Sequence, residues 1–235
     1  MLLMRGDYAL QFKTAGEIKM ALRINDIVPN LDLKTDLGDF TLHDFIGDSW
    51  AILFSHPKDF TPVCTTEFGA VAQLSAEWEK RGTKVIGLSV DGVDEHVKWK
   101  ADIEKYSCAP ATFPIIADDD MAVAKALDML PADAYLPDGR TAADSASVRV
   151  VFIFSPDKKL QLAMTYPMSV GRNFAEVLRA LDALQATYKV PIATPANWKA
   201  GEDVIVALSL NDEEAKAKFG DVDVKLPYLR TVKQP

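Results

Sequence analysis

Three short apolar runs, "WAILFS" (50–55), "TKVIGLSVD" (83–91) and "VRVVFIFS" (148–155), are separated by stretches whose apolar residues recur at helical spacing. A strand that is apolar at nearly every position must be covered on both faces, and the intervening helices are the natural cover. The expected fold class is therefore α/β, a sandwich in which a central mixed sheet is flanked by helices. The spacing of Phe68, Val71, Leu74 and Trp78 predicts a helix over about 62–80, ended by Gly82. "DEHVKWKADIEKY" predicts a second helix, and a short one is expected near 119–128. Asn173 and Glu176 form a capping-box pattern that opens a long amphipathic helix to about Tyr188. "FTLHDF" after "DLGD" reads as a strand pair across a Gly turn, and "PDKK" turns the third apolar strand into "LQLAMTYP". The stretch 131–147 is polar and rich in Pro and Asp.

The pattern changes after "KVPIATPANWKAGED", where one strand-like run, "VIVALSL", precedes the charged helix "NDEEAKAKF". Three segments are expected: an extension over 1–19, a main domain over 20–187 and a smaller C-terminal domain over 188–235. The first residues lack the apolar stretch of a signal peptide, and Asp7 and Glu17 argue against an organellar presequence.

A net charge of −8 without a basic stripe disfavours nucleic acid as a partner, and the apolar runs are too short to span a bilayer. Two cysteines in 235 residues make no disulfide framework, so a reducing, cytoplasmic setting is expected. Three scattered histidines make a poor metal site, and no metal is expected; neither His43 nor His96 has a cysteine or carboxylate cluster at ligand spacing around it.

The stretch "DFTPVCTTEF" (59–68) concentrates the chemistry. Pro62 suits the first helical position, where its missing N–H is no loss. Thr61 then falls at the N-cap, with its hydroxyl near the first-turn amides. Cys64 lands in the first turn, where unpaired N–H groups and the positive end of the helix dipole favour thiolate over thiol. The plainer reading is a buried, inert cysteine. Arg149, inside "VRVVFIF", is a guanidinium in an apolar strand and needs an anion. A thiolate at a neighbouring strand's end would serve, and so would a carboxylate.

"FSHPKDFTPVCTTE" resembles the active-site signature of the peroxiredoxins, with Pro57, Thr61 and Cys64 in a Pro-x-x-x-Thr-x-x-Cys pattern. "SVRVVFIF" is similar to that family's arginine-bearing strand, and "YPMSVGRNFAEVLRALDALQ" places Arg172 where a second active-site arginine stands. The similarity runs from about Ala21 to the C-terminus. It implies a thioredoxin-like fold and reduction of hydrogen peroxide and organic hydroperoxides without metal, haem or other cofactor. Cys64 would be the peroxidatic nucleophile and pass to a sulfenic acid. Thr61 would orient the peroxide, Arg149 would stabilise the developing charge, and Pro57 would shield the sulfur. Glu67 and Arg172 would form an ion pair that positions Arg149, and His56 would wall the pocket.

The family's two-cysteine members carry a resolving Cys-Pro element after the last long helix; here Thr194 precedes Pro195, so the sulfur is missing. With His56 and the long C-terminal extension, the chain resembles the 1-Cys subgroup. That implies an external thiol reductant, glutathione or a redoxin, and a homodimer, with higher assembly and an oligomeric chaperone role left open. Cys108 is read as an ordinary, partly buried thiol, the alternative being an atypical resolving cysteine. A phospholipase A2-like serine hydrolase activity, which some 1-Cys members carry, would use Ser49, His43 and Asp157. Ala51 replaces the final glycine of that motif, so "GDSWA" reads more simply as a turn before a strand. A thiol–disulfide oxidoreductase is disfavoured because no Cys-x-x-Cys pair is present.

Overall fold

The computed structural model describes residues 22–131 and 146–235. The expected 1–19 extension and most of the polar stretch 131–147 lie outside the described residues.

A five-stranded mixed sheet forms the centre. Its strands are β3 (Trp50–Ser55), β4 (Thr83–Ser89), β5 (Ile115–Ala117), β6 (Arg149–Phe154) and β7 (Leu160–Tyr166), in the order β5-β4-β3-β6-β7. β3 runs parallel to β4 and antiparallel to β6, and β7 pairs antiparallel with β6 at the edge. Side-chain alternation sorts β3 and β6 between two cores. Ala51, Leu53, Val150, Phe152 and Phe154 face one core with helix α1 (Leu42–Ile46) and helix α5 (Ala122–Ala126). Trp50, Ile52, Phe54, Val151 and Ile153 face the other. That second core is covered by helices α2 (Pro62–Gln73), α4 (Val93–Ser107) and α6 (Phe174–Thr187). Arg149, two residues before Val151, therefore points to the helix face that carries Cys64. Gly87 on β4 permits the close approach of α2, because a Cβ there would stand 2.8 Å from the Phe68 ring.

The C-terminal segment builds its own four-stranded sheet, order β10-β11-β9-β8, from β8 (Ile192–Ala193), β9 (Val204–Val206), β10 (Asp223–Leu226) and β11 (Leu229–Val232). Helix α7 (Asp212–Phe219) opens with a full capping box between Asn211 and Glu214. A third apolar cluster around Trp198 holds this sheet, and Ala183 and Ala186 of α6 pack against it.

Several local expectations are corrected. The helix expected over 62–80 breaks at Leu74 into α2 and helix α3 (Ser75–Lys80). The break lets the Trp78 indole donate to the Val71 carbonyl at 3.0 Å. "FTLHDF" is strand only at its start: β1 (Asp32–Leu33) pairs with β2 (Phe40–Thr41), and Thr41 then caps α1 through the Asp44 amide. Asn173 caps α6, but Glu176 turns to Arg179 instead of closing the box. "VIVALSL" is strand over Val204–Val206 alone.

Candidate active site

Pro62 opens α2, and Thr61 has the extended backbone of an N-cap. The Thr61 hydroxyl departs from expectation: it donates to the Lys58 carbonyl at 2.8 Å and caps no first-turn amide. Its lone pairs therefore remain available to an incoming donor. Cys64 sits in the first turn of α2 and is fully buried, as is Pro57 in the loop before it.

Arg149 is the cation beside the sulfur. Its Nη1 donates to Cys64 Sγ at 3.3 Å and to Glu67 Oε2 at 2.7 Å, while its Nε donates to the Met168 carbonyl at 2.8 Å. Its Nη2 bonds to none of the described residues. The two partners open at the sequence level, a sulfur and a carboxylate, are both met by one nitrogen. Glu67 and Arg172 form the expected ion pair, and it is more extensive than expected. Glu67 Oε1 accepts the Arg172 main-chain N–H at 2.8 Å and its Nε at 2.9 Å, while Oε2 accepts Nη2 at 2.7 Å. Arg172 Nη1 is spent on the Val150 carbonyl, and its guanidinium lies over the Phe54 and Phe174 rings.

Burial pushes the Glu67 carboxyl up, but the hydrogen bonds and charge of Arg172, with the charge of Arg149 behind them, outweigh it and hold the group below the usual carboxylate range. Burial conversely pulls the Arg172 guanidinium down, against the pull of Glu67. Because the folded-state value of Glu67 is depressed, its contribution to stability is present above its unfolded value, about 4.3, and is lost as pH falls through the folded value. Glu67→Gln leaves two buried guanidinia without their carboxylate and is expected to destabilise the protein by about 3–5 kcal/mol. Urea unfolding should show this loss at neutral pH, with the difference from wild type narrowing in acid as wild-type Glu67 takes up its proton.

A second group of buried polar side chains lies behind the site, and sequence reading missed it. His56, the residue after β3, approaches Asp59 Oδ1 through Nε2 at 2.6 Å, and His96 on α4 approaches Asp59 Oδ2 through Nδ1 at 2.6 Å. His56 is more than a wall: its ring also stacks on Trp99 and meets Phe68 edge-on. Burial holds the His56 imidazole below its ordinary value despite the pull of Asp59, so it is neutral; it donates from Nε2, and its buried Nδ1 has no partner among the described residues. Burial pushes the Asp59 carboxyl up, yet the two imidazole hydrogen bonds prevail and bring it down to about 2. His56, Asp59 and Asp91 bring ligand-type atoms within 4.8 Å of one another, but these atoms are already engaged. Asp59 accepts from the histidines, and Asp91 Oδ2 accepts the Asp59 amide at 2.7 Å and the Ser89 hydroxyl at 2.9 Å. The one local signal was the three-residue step from His56 to Asp59.

Cys108 caps α4 in a left-handed conformation and is exposed, contrary to the partly buried position expected for it; both cysteines are free thiols. No hydrogen bond joins Ser49, His43 and Asp157 to one another among the described residues. His43 uses Nε2 on the Val28 carbonyl at 2.7 Å. Asp157 accepts from Tyr188 at 2.7 Å and pairs with Lys189. Ser49 lies in the turn before β3, its amide bonded to the Ile46 carbonyl, as the simpler reading of "GDSWA" has it.

The AhpC/TSA family matches residues 24–163, and the C-terminal domain of 1-Cys peroxiredoxin matches residues 183–221. The chain is 49% identical to Peroxiredoxin-6 of Rattus norvegicus over 224 residues, covering 91% of this chain and 98% of the relative. It is 47% identical to the mitochondrial peroxiredoxin PRX1 of Saccharomyces cerevisiae over 226 residues, 95% of this chain and 84% of the relative. Among solved structures, a cysteine-to-serine mutant of the Peroxiredoxin 6 of Arenicola marina superposes with a TM-score of 0.84 at 42% identity, covering 92% of this chain and 99% of that one. A yeast mitochondrial 1-Cys peroxiredoxin, studied for thiol resolution through glutathione and thioredoxin systems, gives 0.81 at 47% identity, covering 90% and 99%.

Proposed function

The chain belongs to the AhpC/TSA family as a 1-Cys peroxiredoxin, a thiol-dependent peroxidase with a thioredoxin-like fold, and from that premise we propose that Cys64 is its peroxidatic nucleophile, served by Thr61 and Arg149. One observation carries the assignment: a buried guanidinium donates to a buried sulfur at 3.3 Å. A cation in that position favours the nucleophilic thiolate.

In the reaction the Cys64 thiolate attacks the terminal oxygen of a hydroperoxide. The S–O bond forms as the O–O bond breaks, the sulfur becomes a sulfenic acid, and the leaving alkoxide or hydroxide takes up a proton to depart as alcohol or water. Thr61 Oγ1, already donating to Lys58, accepts the hydrogen of the incoming peroxide. The Arg149 Nη2 donors face the charge that develops on the leaving oxygen, where a fixed, desolvated donor is most effective. Glu67 and Arg172 hold Arg149 in place, and Pro57 and His56 close the pocket from behind.

Reduction of the sulfenic acid falls to an external thiol: one thiol condenses with loss of water to a mixed disulfide, and a second releases Cys64. Glutathione or a redoxin suits this role, supported by the glutathione and thioredoxin systems named for the yeast relative's structure. A homodimer is supported by β7, which stands at the edge of the central sheet and, beyond Leu160, which Asn25 and Asp26 cover, pairs on its outer side with no further strand among the described residues. Two free thiols accord with a reducing setting such as the cytoplasm. Among the described residues no helix is long and apolar enough to cross a membrane.

The single-cysteine cycle is tested with Cys108→Ser, assayed for peroxide consumption with glutathione or a thioredoxin system as reductant. Turnover within about twofold of wild type is expected, since the substitution is at an exposed helix end. Loss of turnover while the first oxidation of Cys64 persists would instead make Cys108 the resolving thiol.

A further inference from the structure

The loop between β3 and α2 and the start of α2 are each held to helix α4 at one point, one on each side of Cys64. His96 meets Asp59 ahead of the turn, and Trp99, three residues further along α4, donates from Nε1 to Thr65 Oγ1 at 3.1 Å just after Cys64. Asp59 is itself tied to the end of β3 by His56 and to the end of β4 by Asp91. His96, Asp59 and His56 are buried to within a few per cent. A carboxylate is costly to bury unless paired, so something must hold this one where it is. The second nitrogen of His96 lies 3.2 Å from the Ile116 carbonyl of β5.

From this arrangement we infer that Asp59 and His96 are positioning residues of the peroxidase reaction. Together they clamp the loop ahead of α2 against α4 and so fix where Thr61 and Cys64 stand relative to Arg149. Neither residue reaches the sulfur. Their effect passes through the backbone of 59–64, and displacement of a reacting group by about 1 Å is enough to slow a reaction by roughly a hundredfold. The inference rests on Cys64 being the nucleophile, and the experiment separates failure of that assignment from failure of the clamp.

Single-turnover oxidation of Cys64 by hydrogen peroxide is followed by stopped flow in the full chain, together with thermal melting. Wild type, His96→Leu, His96→Asn and Asp59→Asn are compared, with Cys64→Ser as blank. At about pH 7, His96→Leu is expected to react roughly thirtyfold more slowly, and Asp59→Asn at least about tenfold more slowly. His96→Asn, whose amide nitrogen falls near the place of Nδ1 and can still donate to Asp59, is expected to stay within about threefold of wild type. In His96→Leu the carboxylate of Asp59 keeps the His56 imidazole and the Ser89 hydroxyl, with the Asp91 carboxylate close by. With one of the two imidazole hydrogen bonds gone, burial raises the proton uptake of Asp59 above its wild-type value, so the acid limb of the rate profile moves to higher pH in His96→Leu and stays in place in His96→Asn and Asp59→Asn.

Rates in His96→Leu and Asp59→Asn within about threefold of wild type would overturn the proposal. So would equal losses in His96→Leu and His96→Asn without an upward shift of the acid limb in His96→Leu, which would mark the cluster as a purely structural support. If His96→Leu does not fold, Asp59→Asn and His96→Asn carry the comparison. If wild-type Cys64 itself is not oxidised, the assignment of the nucleophile fails and the clamp with it.

Discussion

Cys64→Ser is expected to abolish peroxide reduction, leaving the slow background rate, a loss of at least about ten-thousandfold. Serine keeps nearly the same shape in a pocket that admits no solvent to the side chain, and its oxygen can still accept from Arg149, so the fold and the arginine cluster should survive. What is lost is the nucleophile, because a serine hydroxyl stays protonated and its oxygen cannot be oxidised by oxygen transfer. Peroxide consumption with an external thiol, measured beside a melting curve, checks both halves of this expectation. A folded Cys64→Ser protein that still consumes peroxide would place the chemistry elsewhere, with Cys108 the remaining sulfur of its type in the chain.

Arg149→Met should slow oxidation of Cys64 by about 10²–10³-fold, the range found when a preorganised donor to a developing oxyanion is removed. Methionine fills the space along β6 but brings neither charge nor N–H. The protein should nonetheless fold, because Glu67 retains three bonds to Arg172 and is not left as an unpaired buried anion. Arg149→Lys is a sharper version of the same experiment. A single ammonium cannot reproduce a planar fork that meets Cys64, Glu67 and the Met168 carbonyl at once, so a loss intermediate between wild type and Arg149→Met is expected. Second-order rate constants from stopped flow are the measurement, and a change of less than about threefold in Arg149→Met would remove the guanidinium from the mechanism.

The central sheet was legible because β3, β4 and β6 are apolar at nearly every position, a pattern that demands cover on both faces. The site was legible for a related reason. A proline and threonine placed ahead of Cys64 mark a helix start, and an arginine inside the apolar run of β6 has to find an anion. What escaped was decided by partners distant in the chain. Leu74 interrupts the helix where the Trp78 indole turns back to the Val71 carbonyl, and the periodicity of apolar residues runs straight through the break. Thr61 has the composition and backbone of a capping residue, yet the Lys58 carbonyl competes successfully for its hydroxyl. Glu176 had an arginine one turn onward within reach and took it in place of the Asn173 amide. His96 meets Asp59 across 37 residues, from a helix to a loop, and no local spacing announces that pair.

The acid side of the stability profile follows from the same buried charges. Asp59, about 3.9 when unfolded and about 2 when folded, adds stability that is complete above the unfolded value and disappears as pH falls toward the folded one. The same sign holds for Glu67, so the network that orders the site also makes the fold sensitive to strong acid.

The most direct measurement treats wild-type protein with one equivalent of hydrogen peroxide in the presence of a sulfenic-acid-trapping diketone and maps the adduct by tandem mass spectrometry. The expected result is a single adduct on Cys64, formed rapidly and nearly stoichiometrically, and formed far more slowly in Arg149→Met. An adduct on Cys108 with Cys64 unmodified, or equal trapping at Cys64 with and without the Arg149 guanidinium, would contradict it.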